Sequence, residues 1–169
     1  MLDRPSADNP ESNWHVVDPH MSDDKMVEVT LSHAVHFAGQ SYLTVYVGSN
    51  GFVTFDDSRF AMQLNLPAHY KRVMASVLYS DLNPEQGGVI RYTETAEFLL
   101  VSWEEVPEYA EEPATAPKQS FQMKLWNDGH LDMRWPTYTP SQNAVIVGLS
   151  GTCSVASSRS VVSSFRVKR

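Results

Sequence analysis

A chain of 169 residues, 42% hydrophobic and 20% charged, has the size and composition of one globular domain that closes a core without disulfides or metals as staples. That balance excludes a disordered chain and a collagen-like fibre. Thirteen basic against twenty acidic residues give a formal net charge of −7, and with no basic stripe this argues against nucleic acid as a partner, because phosphate contacts supply most of that affinity.

Residues 1–24 are rich in Asp, Ser, Asn and Pro and read as an extended or poorly ordered lead-in, with Trp14, Val16 and Val17 available to pin part of it to the body. The first ten residues contain no apolar h-region, so a secretory leader is expected to lie outside this chain. Residues 25–169 read as a single domain. Its dominant period is two, the signature of strands. In the first strand Val27, Val29, Leu31, Val35 and Phe37 share one face. In Ser41–Val47 the expected faces are Leu43, Val45 and Val47 on one side and Tyr42, Thr44 and Tyr46 on the other. Asn50-Gly51 is a hairpin turn, and Phe52–Phe55 returns from it. Asp56–Tyr70 is irregular, with room for a short helical turn. Arg72–Tyr79 is the next strand, followed by turns at Asp81–Pro84 and Gly87-Gly88. Val89–Thr93 and Glu97–Val106 pair as a hairpin, and Pro107–Lys118 is a long acidic loop.

The clearest hairpin is Phe121–Trp135. A three-residue loop, Asn127–Gly129 with Gly129 left-handed, places Leu125 opposite Leu131 and Lys124 opposite Asp132 as a charge pair on the outer face. A two-residue loop would set Leu125 against Asp132. Ala144–Leu149 and Ser160–Val167 supply the last strands. About nine strands and no long helix predict an all-β fold: a single antiparallel β-sandwich, jelly-roll-like in its connections. No apolar run approaches the ~20 residues that cross a bilayer, so membrane insertion is not expected. The lone Cys153 makes an internal disulfide impossible, and it reads as a core filler.

Five segments in order resemble one family. They are Phe37–Tyr42 (FAGQSY) leading into Val45–Phe55 (VYVGSNGFVTF), Ala75–Gly88 (ASVLYSDLNPEQGG), Leu100–Pro107 (LVSWEEVP), Phe121–Trp135 (FQMKLWNDGHLDMRW) and Val147–Gly151 (VGLSG). Together they resemble the nidogen-like (NIDO-type) β-sandwich, found in plexin-domain proteins and in bacterial secreted or surface proteins. The resemblance spans about Val27 to Gly151. It implies an extracellular or cell-surface, non-catalytic module of adhesion or attachment, with neighbouring domains in a larger protein. It carries no catalytic motif to transfer. A Trp often found before the Asp-Leu turn is replaced here by Tyr79 or Ser80.

The residues themselves offer weak chemistry and a stronger surface. His33 and His36 lie three apart on a strand and so point to opposite faces, which speaks against a shared metal. Asp56, Asp57 and Asp81 sit at strand ends in loops, where hard oxygen ligands suit Ca²⁺, and Ser22-Asp23-Asp24 carries a lesser hint of the same. No EF-hand spacing exists. Glu104 and Glu105 are adjacent and face apart, while Glu104 with Asp81 or Asp132 forms a hydrolase pair only if the two approach within ~5–9.5 Å. No Gly-x-Ser-x-Gly elbow or phosphate loop is present. Exposed aromatics are the better functional sign: Tyr42 and Tyr46 opposite the apolar face, Trp126 and His130 beside the hairpin turn, and Tyr109 and Tyr138 in loops. Such rings stack on sugars or anchor proteins. The expected function is recognition of carbohydrate or of a cell-surface or matrix protein, without catalysis. A structural spacer or protein-interaction domain is the alternative.

Overall fold

Alternating side chains leave each strand one apolar face to bury, and two sheets bury theirs against each other. The computed structural model of the chain describes residues 13–56, 66–136 and 139–151. Among these are strands β1 (His15–Val16), β2 (Met26–Phe37), β3 (Gln40–Gly48), β4 (Phe52–Thr54), β5 (Met74–Tyr79), β6 (Val89–Glu94), β7 (Phe98–Pro107), β8 (Lys118–Trp126), β9 (Leu131–Arg134) and β10 (Ile146–Ser150), with one helical turn, α1 (Leu66–His69). They form two five-stranded antiparallel sheets, ordered β1-β6-β7-β8-β9 and β10-β5-β4-β3-β2. The antiparallel sandwich expected from the sequence is therefore the fold. Within each sheet most neighbours are consecutive in the chain and joined by short turns. The chain changes sheet between β1 and β2, β5 and β6, and β9 and β10. Of the lead-in, His15–Val16 pairs with Tyr92 and Arg91 of β6, and Met21 is buried. The expected strand Ser160–Val167 and Cys153 lie outside the described residues.

One apolar cluster joins the two sheets. Val29, Val45, Val47, Val53, Ala75 and Val77 from one sheet meet Leu99, Val101, Trp103, Phe121, Met123 and Leu125 from the other. Each Val, Leu, Met or Phe among them contributes about 1.5–3 kcal/mol when fully buried. Trp103 also spans the gap between the sheets: its ring stacks on Phe121 and its Nε1 donates to the Gly48 carbonyl of β3 at 3.0 Å. Glu94 of β6 makes a second bridge, its carboxylate accepting from the Ser32 N–H of β2 at 2.9 Å. A smaller cluster of Phe52, Met74 and Tyr79 lies apart from this core. There α1 docks through His69, whose Nδ1 lies 3.1 Å from the Ser76 hydroxyl of β5, while Leu66 and Tyr70 stay exposed.

The Phe121–Trp135 hairpin takes the expected register. Leu125 pairs with Leu131 and Lys124 with Asp132, and Gly129 has φ +89° after Asn127 and Asp128. The β2–β3 pair departs from strict alternation. Between Thr30↔Thr44 and Val35↔Tyr42 the β2 side carries extra residues. This bulge inverts the start of β3. Tyr42 turns inward against Phe55, with ring centroids 5.0 Å apart, and Leu43 is 55% exposed, the reverse of the alternation read for these two residues. The same bulge leaves His33 exposed, its Nδ1 4.0 Å from the Glu94 carboxylate.

A buried carboxylate fixes the approach to β10. Glu108 is 2% exposed and follows β7 directly. It accepts from Gln119 Nε2 at 2.7 Å, the Gln142 N–H at 2.9 Å and the Asn143 N–H at 3.2 Å. Asn143 in turn donates its side-chain amide to the carbonyls of Asp81 and Tyr109. The segment entering β10 is thereby tied to the loops after β5 and β7.

Candidate recognition surface

The outer face of the first sheet gathers polar and aromatic side chains because residues 98, 100, 102 and 104 of β7 and 122, 124 and 126 of β8 alternate away from the core. Across β7 and β8, Phe98 is in register with Trp126, and their rings meet edge to face at 5.3 Å. The Lys124 ammonium sits against both, 3.7 Å from the Phe98 centroid and 4.0 Å from that of Trp126. Such cation–π contacts are worth ~0.5–2 kcal/mol. Lys124 and Asp132 are register partners, but the expected charge pair is not made. The Asp132 carboxylate instead takes Trp126 Nε1 at 3.4 Å and lies 3.4 Å from His130 Nε2. Further along, this side of the sheet is covered: Leu100, Ser102 and Gln122 are buried, Gln122 donates to Ser102, Ser102 to Glu104, and Arg91 lies 3.8 Å from Glu104. The result is an aromatic patch with a cation, a carboxylate and an exposed histidine at its rim. It can stack on an apolar face and hydrogen-bond around it.

The other predicted aromatics do not join this patch. Tyr42 is half-buried in the core, where burial and then the Asp56 carboxylate push its hydroxyl above the usual range. Tyr46, also half-buried, lies in register between Glu28 and Thr54. Tyr109 is 51% exposed and its N–H donates to the Asp81 carbonyl, beyond the β7 end and a whole strand away from Trp126. Tyr138 lies outside the described residues. Only Trp126 and His130 share a site. Lys124 and Phe98 were missed as contributors. The signal was present, since period-two alternation and the hairpin register put both on the Trp126 face.

The predicted carboxylates also separate. Asp56 bonds the Thr54 hydroxyl, accepts the Val73 N–H at 3.2 Å and lies 3.9 Å from Arg72. It stands at the start of β5 and Asp81 beyond its end, roughly 20 Å away at strand rise. Asp57 lies outside the described residues. Asp81 meets Asp23 and Asp24 instead, with one carboxylate oxygen of each within 4.8 Å of the others. Asn50 Nδ2 donates to Asp24 at 2.8 Å, and one Asp23 oxygen is buried with no hydrogen-bond donor. Burial, then the Asp24 charge, raises the pKa of Asp81; burial, then Asp24 and Asp81, raises that of Asp23. Tyr79 is pushed up to about 12 by burial, with Asp24 adding to it. Oxygen donors packed this way match the ligand chemistry of Ca²⁺. Glu104 and Asp132 are two strands and four residues apart on the sheet, roughly 15 Å, too far to act together on a glycosidic bond.

These features define a β-sandwich with a surface patch and an acidic loop cluster. The family described as NIDO related matches residues 9–167, and the chain belongs to it. Among curated proteins it is similar to alpha-tectorin of Homo sapiens, 28% identical over 173 aligned positions, and to alpha-tectorin of Mus musculus, 27% identical over the same span. Both alignments cover 82% of this chain and 8% of the relative's length. No solved structure matches. Among the described residues no helix is long and apolar enough to cross a membrane.

Proposed function

We propose that this chain is a non-catalytic recognition and attachment module of a larger extracellular or cell-surface protein. It binds carbohydrate or another surface polymer through the outer-face patch around Trp126 and His130. The observation that carries this reading is the clustering of Phe98, Lys124, Trp126, Asp132 and His130 on one sheet face, with aromatic surface and polar rim side by side. Aromatic rings stack on the C–H faces of sugars while the rim groups fix orientation. Neighbouring domains fit relatives of which the chain matches only 8%. Calcium, on this reading, orders the loops that hold Asp23, Asp24 and Asp81, and Asp56 takes no part.

The test is a glycan array run with calcium and with chelator, on wild type and Trp126→Ala. Binding to a coherent glycan class that Trp126→Ala abolishes supports the proposal. Binding that chelation removes adds the acidic loops to the site. A folded protein that binds no glycan in either buffer overturns it, and a spacer or protein-interaction domain takes its place. The exposed Val145 and Val147, at and beside β10, are the observation that favours that second reading.

A further inference from the structure

Building on the recognition surface just proposed, we infer that its ligand is an anionic polysaccharide, with a carboxylate or sulfate group meeting the Lys124 ammonium. Among the described residues, Lys124 is the one cation whose register partner is a carboxylate that it does not engage. Asp132 is turned to Trp126 Nε1 and His130 Nε2. Among the described residues the ammonium makes no ion pair and no hydrogen bond, and it rests on two ring faces at 3.7 and 4.0 Å. A ring quadrupole steadies a cation without neutralising it. The three N–H donors therefore keep their appetite for an anion, and the rings keep water off one side of the contact, which strengthens it.

The surroundings point the same way. Arg91 and Arg134 flank Ser102 and Gln122 in the neighbouring row of the same face. Lys124, Arg91 and Arg134 thus stand there with Glu104, Glu105 and Asp132, an even balance of charge in a chain whose net charge is −7. All three carboxylates are already engaged, Glu104 with Arg91 and Ser102, Glu105 with Ser120, and Asp132 with Trp126 and His130. An anionic sugar can lay its ring against the aromatic patch and direct its charged group to Lys124. A neutral sugar leaves the ammonium unanswered.

Three polymers of matched length separate the possibilities: dextran, dextran sulfate and polygalacturonate, each assayed by surface binding at low and at raised salt. The expected result is binding to one or both anionic polymers, weakened by salt, and none to dextran. The sulfated and carboxylated arms identify which anion is preferred. Lys124→Gln should weaken binding about tenfold, the loss of one charge-assisted contact, and Lys124→Arg should largely restore it. Lys118→Gln, an exposed lysine at the far end of β8, should change little. Equal loss in the Lys118 and Lys124 variants marks general attraction of polyanions and overturns the inference. Binding to dextran that Trp126→Ala abolishes and Lys124→Gln spares also overturns it, while leaving the recognition reading intact. Failure to bind any of the three overturns the inference, while the recognition reading stands or falls on the glycan array.

Discussion

Replacing Glu108 with alanine should unseat the segment that leads into β10. The side chain is almost wholly buried, and its two oxygens receive three donors, one amide N–H from Gln119 and the backbone N–H groups of Gln142 and Asn143. Truncation leaves the Gln142 N–H and one Gln119 amide N–H without that acceptor, while the Asn143 N–H keeps the Ser141 hydroxyl at 3.2 Å. A buried donor left unpaired costs ~1–3 kcal/mol. Gln142 is exposed, so water answers part of that demand. We therefore expect a loss of about 2–4 kcal/mol, or a fall in Tm of roughly 10 °C for a chain of this length. Glu108→Gln keeps the shape and one oxygen, and the Gln119 amide can turn to meet the new N–H, so that variant should lose only about 1–2 kcal/mol. Thermal melts give the totals, and amide hydrogen exchange at Gln142 and Asn143 gives the location. Should Glu108→Ala melt within ~1 kcal/mol of wild type, or leave exchange at those two amides unchanged, the clamp is not what holds this segment.

Three other expectations concern the fold and its titrating groups. Gly51 has φ +80°, and a Cβ there would lie 2.2 Å from the Leu78 carbonyl oxygen, so Gly51→Ala should cost at least ~3 kcal/mol by denaturant unfolding. His69 is buried and its pKa is lowered by that burial, so the unfolded state binds the proton more tightly. The stability this adds is complete above the unfolded value of 6.5 and is lost as pH falls through the folded value, and melts between about pH 5 and 7.5 should show that slope in wild type and not in His69→Gln. Asp23 and Asp81 have raised pKa values, so their contribution to stability is full below 3.8 and lost as pH rises through the folded values. At neutral pH in chelator the repulsion stands, and Asp81→Asn should raise Tm; an unchanged or lower midpoint would argue against it.

Much of the scaffold was legible because strand period and turn chemistry are local. Val29, Leu31, Val35 and Phe37 are buried as their alternation requires, and the three-residue loop follows from asking which register keeps Leu125 opposite Leu131. Trp126 and His130 could be paired from the sequence for the same reason, since the turn between them brings them together. Composition could not tell the exposed Tyr109 from the half-core Tyr42. Where a bulge intervenes, the period is broken by pairing with another strand, and the residues inside it carry no mark of that.

What the sequence determined by itself was the sandwich class, the strands, the Asn50-Gly51 and Asn127–Gly129 turns, and the outer-face position of Lys124 and Trp126. All of these are set by contacts within a few residues or across one hairpin. Only the tertiary structure decided that Tyr42 turns in and Leu43 out, that Asp81 joins Asp23 and Asp24 rather than Asp56, that Glu108 is buried among three donors, and that Lys124 rests on rings rather than on Asp132. Each of those depends on groups brought together from distant parts of the chain, or on competition among neighbours for one carboxylate, and side-chain alternation constrains neither.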